Sequence, residues 1–151
     1  MRLLTLEQFV NHFQGHRRLT IRTIQAFPAT ELFSYKVEPL RSFGEMMNEV
    51  LAVEAYTFNG IRSGKWVWQP GEQADSKEGL LAAFEQAAAR STAWAQLSLE
   101  RVEAVETDNW QLTWSNRERL LYMLDNEIHH RAQGYVYLRL LGLEPPAFYQ
   151  R

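Results

Sequence analysis

The sequence repeats one short signal at four places: a small polar residue followed three positions later by Glu or Gln. In such a capping box the first side chain accepts a hydrogen bond from a backbone N–H of the first helical turn, and the second reaches back to the N–H of the capping residue. The four pairs are Thr5/Gln8, Ser42/Glu45, Asp75/Glu78 and Ser115/Glu118. Apolar residues at helical spacing follow each pair, so the sequence predicts four amphipathic helices.

Glycine and proline predict where these helices end. Pro28 should end the first helix, Asn59-Gly60 should form a left-handed turn after the second, and Gly142 should close the fourth. The connections are long, and residues 99–114 should hold either a short strand pair or an extended crossover. Four amphipathic helices of similar length pack best as an all-α four-helix bundle, and long connections leave room for crossovers.

Length and composition restrict the domain organisation and the function. A chain of 151 residues that is 46% hydrophobic suits one domain, which we predict over residues 1–151. The net charge is only −2, with acids and bases interspersed, which argues against binding to nucleic acid or to an anionic membrane. The sequence has no cysteine, no recognisable signal peptide and no apolar run long enough to span a bilayer. These features predict a cytoplasmic protein.

Polar residues interrupt the apolar pattern of the last predicted helix, in NEIHHRAQGYVYLRLLGLEPP. Asn126 and His130 are four residues apart and therefore share one face, where two side chains can bind one metal ion or one ligand. His129 points away from that face, so the two adjacent histidines cannot bind one ion together. In the simplest interpretation, His130 is an interior histidine that forms a hydrogen bond across the bundle to Asn126 or to Asn48.

Two further groups of polar residues are predicted to be buried. Arg131 falls on the core stripe of the last helix and needs a partner there, for which Glu54 and Glu127 are the candidates. His12 and His16 form another pair at a spacing of four on the first helix. We interpret His16 as a core histidine with His12 near its edge, although the pair could in principle supply metal ligands.

Aromatic residues make up 13% of the chain, more than four helical stripes need. Because Tyr, Trp and Phe are enriched at protein interfaces, this surplus predicts a homodimer. Trp66 and Trp68 alternate in GKWVWQPGE, where they form either a plug over the end of the bundle or a lid over a substrate.

The last predicted helix resembles that of the DinB/YfiT-like family of four-helix-bundle metalloenzymes. Its members typically carry a His-x-x-x-His pair in a segment like HEIHHRGQ, followed by YLRLLG and PP. The similarity runs through NEIHHRAQGYVYLRLLGLEPPAFY, and RSFGEMMNEV matches the region in which the family usually has a third histidine. The resemblance covers the order of elements over essentially the whole chain and implies a DinB-like bundle.

Residue by residue, the resemblance places the family's three metal ligands at Asn48, Asn126 and His130, so Asn replaces two of three histidines. An amide oxygen is a weak, neutral donor that does not replace imidazole for zinc or nickel. Two such replacements should cost several kcal/mol of binding free energy, judged against the roughly 10–16 kcal/mol with which a complete structural zinc site binds. We therefore expect a degenerate metal site with weak or absent metal binding, in a pocket that also contains Glu127 and Arg131.

Two functions remain open. The resemblance implies thiol-dependent S-transferase chemistry, in which a divalent ion activates bacillithiol, mycothiol or a similar thiol for attack on an electrophile. Without the ion, activity would depend on His130 as a general base, which contributes about 10²- to 10⁴-fold when well placed. The alternative is a non-catalytic dimeric protein, small-molecule-binding or stress-associated, in which the Asn48, Asn126 and His130 cluster binds a polar ligand or only stabilises the bundle.

Overall fold

The structure is a computed structural model, and it describes residues 4–151. The α-helices are α1 (Leu6–Ala26), α2 (Phe43–Ser63), α3 (Lys77–Ser91), α4 (Leu99–Glu103) and α5 (Asn116–Leu140). A 3-10 segment (Thr92–Gln96) follows α3, and the strands are β1 (Val105–Thr107) and β2 (Thr113–Ser115). No helix within residues 4–151 is long and apolar enough to cross a membrane.

The starts of the long helices follow the predicted capping signals closely. Complete capping boxes form at Thr5, Ser42 and Ser115. The start of α3 lies one residue later than predicted, because Ser76 rather than Asp75 accepts a hydrogen bond from the N–H of Gly79. Pro28 follows the end of α1, and Gly142, with φ +76°, follows the end of α5, as predicted.

The prediction that α2 ends at Asn59-Gly60 is wrong. The helix continues past this pair and ends at Gly64, whose φ of +70° gives the left-handed turn. Gly60 has a different role, since a Cβ at this position would lie 2.2 Å from the ring of Trp66. It is therefore a packing glycine that lets an aromatic ring lie against the helix backbone.

The four long helices pack in the cyclic order α1, α3, α2, α5, with the most extensive contact between α2 and α5. Helices α1 and α2 are therefore diagonal to each other, and so are α3 and α5. The connections between diagonal helices have to cross the bundle, which explains why they are long. The prediction of an all-α four-helix bundle with long connections is confirmed.

The connection between α3 and α5 carries the strand pair, which was one of the two predicted alternatives. Strand β1 pairs with β2 in antiparallel orientation, with Val105 opposite Ser115 and Thr107 opposite Thr113. The guanidinium of Arg101 fixes this hairpin to the bundle by donating to the carboxylate of Glu106 and to the carbonyl of Ile61. As a result, the turn of the hairpin is held beside α2 and α5.

The core consists of two apolar clusters that lie at different heights along the bundle. One includes Phe13, Tyr56 and Met123, and the other includes Phe43, Val50 and Leu138. Between them along α1, α2 and α5 lie buried polar residues, namely His16, Arg17, Thr20, Glu54, Glu127, His130 and Arg131. The middle of the bundle is therefore polar, and burial requires each of these groups to find partners.

Candidate functional site

Glu49 of α2, rather than Asn48, meets His130 of α5. Glu49 Oε1 lies 3.2 Å from His130 Nε2. The Asn48 amide instead donates to the carbonyl of Ala74 at 2.8 Å and accepts from its N–H at 3.0 Å, which fixes the connection before α3. Neighbouring helix residues point about 100° apart, so a shift of one residue selects another face. Glu49 therefore supplies the contact from α2 to His130, and the convergence of Asn48 with Asn126 and His130 stays a prediction.

Asn126 and His130 follow each other along the same face of α5, as their spacing requires. Asn126 Oδ1 is buried and has no hydrogen-bond partner within residues 4–151. His130 is buried, and its Nδ1 lies 2.9 Å from Gln133 Oε1. A second contact of this kind fixes the orientation of a histidine ring and directs Nε2 towards α2. His129 is exposed and takes no part in this arrangement.

Glu49 is a charged carboxylate between two basic residues. Its partial burial alone would raise the pKa of Glu49, but the hydrogen bond and charge of Arg41, followed by those of His130, lower it below its usual value. The side chain of Arg41 is 47% exposed, so this ion pair lies at the rim of the site. The guanidinium of Arg41 thus contacts the Glu49 carboxylate from the rim of the site.

These donors do not suit a zinc or nickel centre. Among residues 4–151, no three His, Cys, Asp or Glu side chains are placed to hold one ion. His130 is the single imidazole of this group, Glu49 is its single carboxylate, and Asn126 offers only a weak amide oxygen. A catalytic zinc site generally has three strong ligands and one open position. Weak or absent binding of these ions therefore stays a prediction.

Glu127 and Arg131, the other two predicted pocket residues, contact α1 rather than α2. Arg17 of α1 donates to Glu127 at 2.8 Å and to Glu54 at 2.5 Å. Arg131 instead donates to the Nδ1 atom of His16 at 2.9 Å. The prediction that Arg131 pairs with Glu54 or Glu127 is wrong, because Arg17 binds both carboxylates. Sequence reasoning missed Arg17, although its place one turn after Phe13 on the apolar stripe of α1 is a usable signal.

His16 is a core histidine, and His12 lies beside it on the surface. The two rings meet edge to face with 4.7 Å between their centroids. Burial first, and then the charges of Arg131, Arg151 and His12, lower the pKa of His16 to about 3. The ring is therefore neutral at neutral pH, and its Nδ1 lone pair accepts the hydrogen bond from Arg131. This engagement argues against His12 and His16 as substitute metal ligands.

Mild acid should destabilise the protein through His16. An unfolded histidine has a pKa near 6.5, so between about pH 6.5 and pH 3 the unfolded chain binds a proton that the folded chain does not. The free energy of unfolding should therefore decrease as the pH is lowered, by up to roughly 1.4 kcal/mol per pH unit for this group. Urea unfolding at pH 6.5 and pH 5.0 should show a smaller loss for His16→Gln than for the wild type. The control, exposed His129→Gln, should keep the full loss, and equal losses in all three proteins would contradict the assignment.

A cleft of about 420 Å³ lies next to the Glu49–His130 pair, between α2, α5 and the hairpin. Glu49 forms part of its wall, so the cleft and the pair are contiguous. The rest of the wall is mostly aromatic, and its rings belong to Tyr56, Trp66, Trp68, Trp110, Trp114 and Tyr122. A concave, mostly aromatic surface with few polar groups is typical of small-molecule sites.

Trp66 and Trp68 have separate roles, although their alternation in the sequence predicted one shared role. Trp66 is buried, and its Nε1–H donates to Glu106 at 3.2 Å, so it fills the space at this end of the bundle. Trp68 is partly exposed and lies against Tyr56 and Trp110, with 5.7 and 5.5 Å between ring centroids. Trp66 therefore acts as the predicted plug, whereas Trp68 is a wall of the cleft.

An ion pair closes the hairpin side of the cleft. Arg119 donates to Asp108 at 2.6 Å, and its guanidinium lies 4.2 Å from the centroid of the Trp66 ring. Partial burial would raise the pKa of Asp108, but Arg119 and two backbone N–H groups lower it below its usual value. Burial, followed by the charge of Asp108, raises the pKa of Tyr56 to about 12. The Tyr56 phenol is therefore protonated at neutral pH and does not act as a base.

Comparison with known proteins agrees with the sequence motif and the fold. The model of the DinB family matches residues 1–151. A DinB-like protein from Bacillus subtilis shares 23% identity with a TM-score of 0.79, over 95% of this chain and 99% of its own. A DinB-like protein from Bacillus cereus ATCC 10987 shares 15% identity with a TM-score of 0.78, over 96% of this chain and 98% of its own. No curated protein matches the sequence. Because the family model covers the whole chain, the protein belongs to the DinB family.

Proposed function

We propose that this DinB-family protein binds a small organic molecule in the aromatic cleft, without a metal ion at the positions of the family ligands. The cleft carries the proposal. Its volume of about 420 Å³ lies within the range of roughly 300–1,000 Å³ that small-molecule sites occupy. The donor set at Glu49, Asn126 and His130 adds polar character at one part of the site.

Contacts between neighbouring aromatic rings support the walls of the cleft. Tyr56 packs on Trp110 with 4.8 Å between ring centroids, and its hydroxyl donates to Asn109 at 2.6 Å. On the other wall, Trp114 and Tyr122 meet edge to face at 5.4 Å. A ligand that covers these rings gains about 25 cal/mol per Å² of apolar surface removed from water. Preformed walls reduce the entropy lost on binding.

Ligand binding should weaken when an aromatic side chain of the cleft wall is replaced by alanine. We would titrate the wild type and Trp110→Ala with one- and two-ring aromatic compounds and follow heat by calorimetry. Dissociation constants of bound compounds should rise at least about tenfold in Trp110→Ala, since roughly 1.4 kcal/mol of lost ring contact suffices for that. Tyr149→Ala is the matched control, because Tyr149 is 71% exposed and lies outside the cleft. Equal affinities in the two variants, or no binding by any compound, would refute the proposal.

Thiol-dependent transfer is the second candidate, and the position of the Glu49–His130 pair favours it. In such a reaction the thiol S–H proton would pass to this pair, and the thiolate would attack the carbon of an electrophile held against the aromatic wall. The new S–C bond would replace the bond to the leaving group, which departs as an anion such as halide. The test is conjugation of bacillithiol or glutathione to an aryl halide in the presence of a metal chelator. This function requires a rate above that of the free thiol and its loss in His130→Ala. A rate equal to the uncatalysed reaction would exclude it.

We also propose that the protein is a cytoplasmic homodimer. The outward side of α5 exposes Val136 and Leu140, and Phe148 after the helix is exposed as well, which adds to the argument from aromatic content. Sedimentation velocity at micromolar concentration tests the dimer, and a single monomer boundary would contradict it. The cytoplasmic address rests on the cysteine-free composition, and cell fractionation tests it.

A further inference from the structure

The free ring surfaces of the cleft are suited to a positive charge. Trp68 and Trp110 are 37% and 50% exposed, and Tyr122 on the other wall is 48% exposed. The face of an indole or phenol ring carries partial negative charge, and a cation within about 6 Å of the ring centre is attracted to it. The wall therefore offers several electron-rich surfaces that no Lys or Arg side chain of residues 4–151 covers.

The charges of the cleft wall also favour a positively charged ligand. Two carboxylates and one guanidinium line the cleft, at Glu49, Asp108 and Arg119, which leaves the wall net negative. Both oxygens of Asp108 are already used, by Arg119 and by backbone N–H groups of the hairpin. Glu49 differs, because one of its partners is the half-exposed Arg41 at the rim. Exposed ion pairs contribute little, so a cationic ligand can exchange for Arg41.

One side-chain cation of the protein, Arg119, is already held between an aromatic ring and a carboxylate. The guanidinium of Arg119 lies over Trp66 and against the carboxylate of Asp108, at 4.2 and 2.6 Å respectively. An aromatic face on one side and a carboxylate on the other is the arrangement that recognises organic cations. Glu49 and the uncovered rings line the same cleft, so a carboxylate and free aromatic faces are both available to a ligand there.

The geometry points to an organic cation as the ligand of the cleft, with its apolar part against the aromatic walls and its charge balanced by Glu49. This inference rests on the proposed small-molecule function and specifies the chemical class of the ligand. A substituted ammonium ion attached to an aromatic or alkyl group has the required properties. An anionic ligand would face the negative wall and should be rejected.

The test compares probes of equal shape and different charge. Phenyltrimethylammonium and tert-butylbenzene differ only in that nitrogen replaces carbon, and benzenesulfonate provides the anion. Titrations followed by calorimetry and tryptophan fluorescence should give the ammonium probe at least about tenfold higher affinity than its neutral isostere. Benzenesulfonate should bind more weakly than either. This comparison uses the wild-type protein and needs no variant to fold.

Two variants test whether Glu49 is the source of the preference for the ammonium probe. Glu49→Gln should reduce the affinity for the ammonium probe to that of tert-butylbenzene and leave the affinity for tert-butylbenzene unchanged. Glu85→Gln is the matched control, because it removes one charge from the exposed face of α3 and should change neither affinity. Equal effects of the two variants on the ammonium probe would overturn the inference.

The possible failures are distinguishable. If tert-butylbenzene binds as tightly as the ammonium probe and Trp110→Ala weakens both, the cation inference is wrong and the small-molecule function stands. If none of the three probes binds at millimolar concentration, both the inference and the proposed function fail.

Discussion

The variant Glu49→His with Asn126→His should bind zinc or nickel about 10³-fold more tightly than the wild type, or better still. With His130, these changes place three imidazoles on the facing sides of α2 and α5. His130 already directs Nε2 towards position 49, while Gln133 holds its other nitrogen. A gain of about 4 kcal/mol corresponds to 10³-fold and is a modest share of the roughly 10–16 kcal/mol of a complete structural zinc site. Competition with a chromophoric chelator measures the affinities.

The matched control is Asn48→His with Asn126→His. This pair adds the same two imidazoles but places one where the Asn48 amide binds the backbone of Ala74. It should therefore bind metal weakly and should also melt at a lower temperature, because two hydrogen bonds are lost. If both double variants bind equally tightly, the assignment of Glu49 is wrong. Tight wild-type binding that survives His130→Ala would place a metal site elsewhere, with His12 and His16 as the next candidates.

Arg17→Met should lower the free energy of unfolding by about 3–5 kcal/mol, because it leaves two buried carboxylates without their cation. Glu127 and Glu54 are both buried, and Arg17 is their shared partner. Burial already raises the pKa of Glu54, although Arg17 opposes this rise. The loss should shrink towards pH 5, since a protonated carboxyl group is less costly to bury. Urea unfolding measures each value.

Two comparisons separate this effect from lost packing. The triple change Arg17→Met, Glu54→Leu and Glu127→Gln removes the charges together, keeps an acceptor for the Thr20 hydroxyl, and should recover more than half of the loss. Lys36→Met removes one partner of an exposed ion pair with Glu38 and should leave the unfolding free energy unchanged within error. If Arg17→Met is as neutral as Lys36→Met, Arg17 does not hold a buried charge network.

Local signals predicted the elements well. A capping box spans four residues and depends only on the backbone of the first helical turn, so Thr5, Ser42 and Ser115 could be identified without knowledge of the fold. The start of α3 was displaced by one residue because two suitable caps, Asp75 and Ser76, are adjacent.

The misplaced end of α2 has a different cause, because it depends on a contact beyond the helix. Gly60 reads as a helix terminator from the sequence, yet it provides space for the ring of Trp66. A glycine that permits close packing and a glycine that permits a left-handed turn look alike in a sequence. Only the position of the neighbouring ring distinguishes them.

At the candidate site, too, contacts within one helix could be predicted from the sequence and contacts between helices could not. The spacing of Asn126 and His130 placed both on one face of α5, because that relation is internal to one helix. Which residue of α2 contacts His130 depends on the rotation of α2 about its axis. A difference of one residue along the helix puts Glu49 where the sequence predicted Asn48. Arg41 reaches Glu49 from outside α2, so no helical pattern could place it there.

The sequence by itself determined the four long helices, the bundle, the DinB motif and the shared face of Asn126 and His130, since each depends on spacing within a short segment of the chain. Only the tertiary structure decided which charges neutralise each other and which rings enclose the cleft. Arg17 rather than Arg131 holds Glu127, and Trp110 approaches Tyr56 across more than fifty residues of chain. Pairings of this kind are set by helix rotation and by the path of the connections, because electrostatic and packing energies depend on distances between elements rather than on order along the chain.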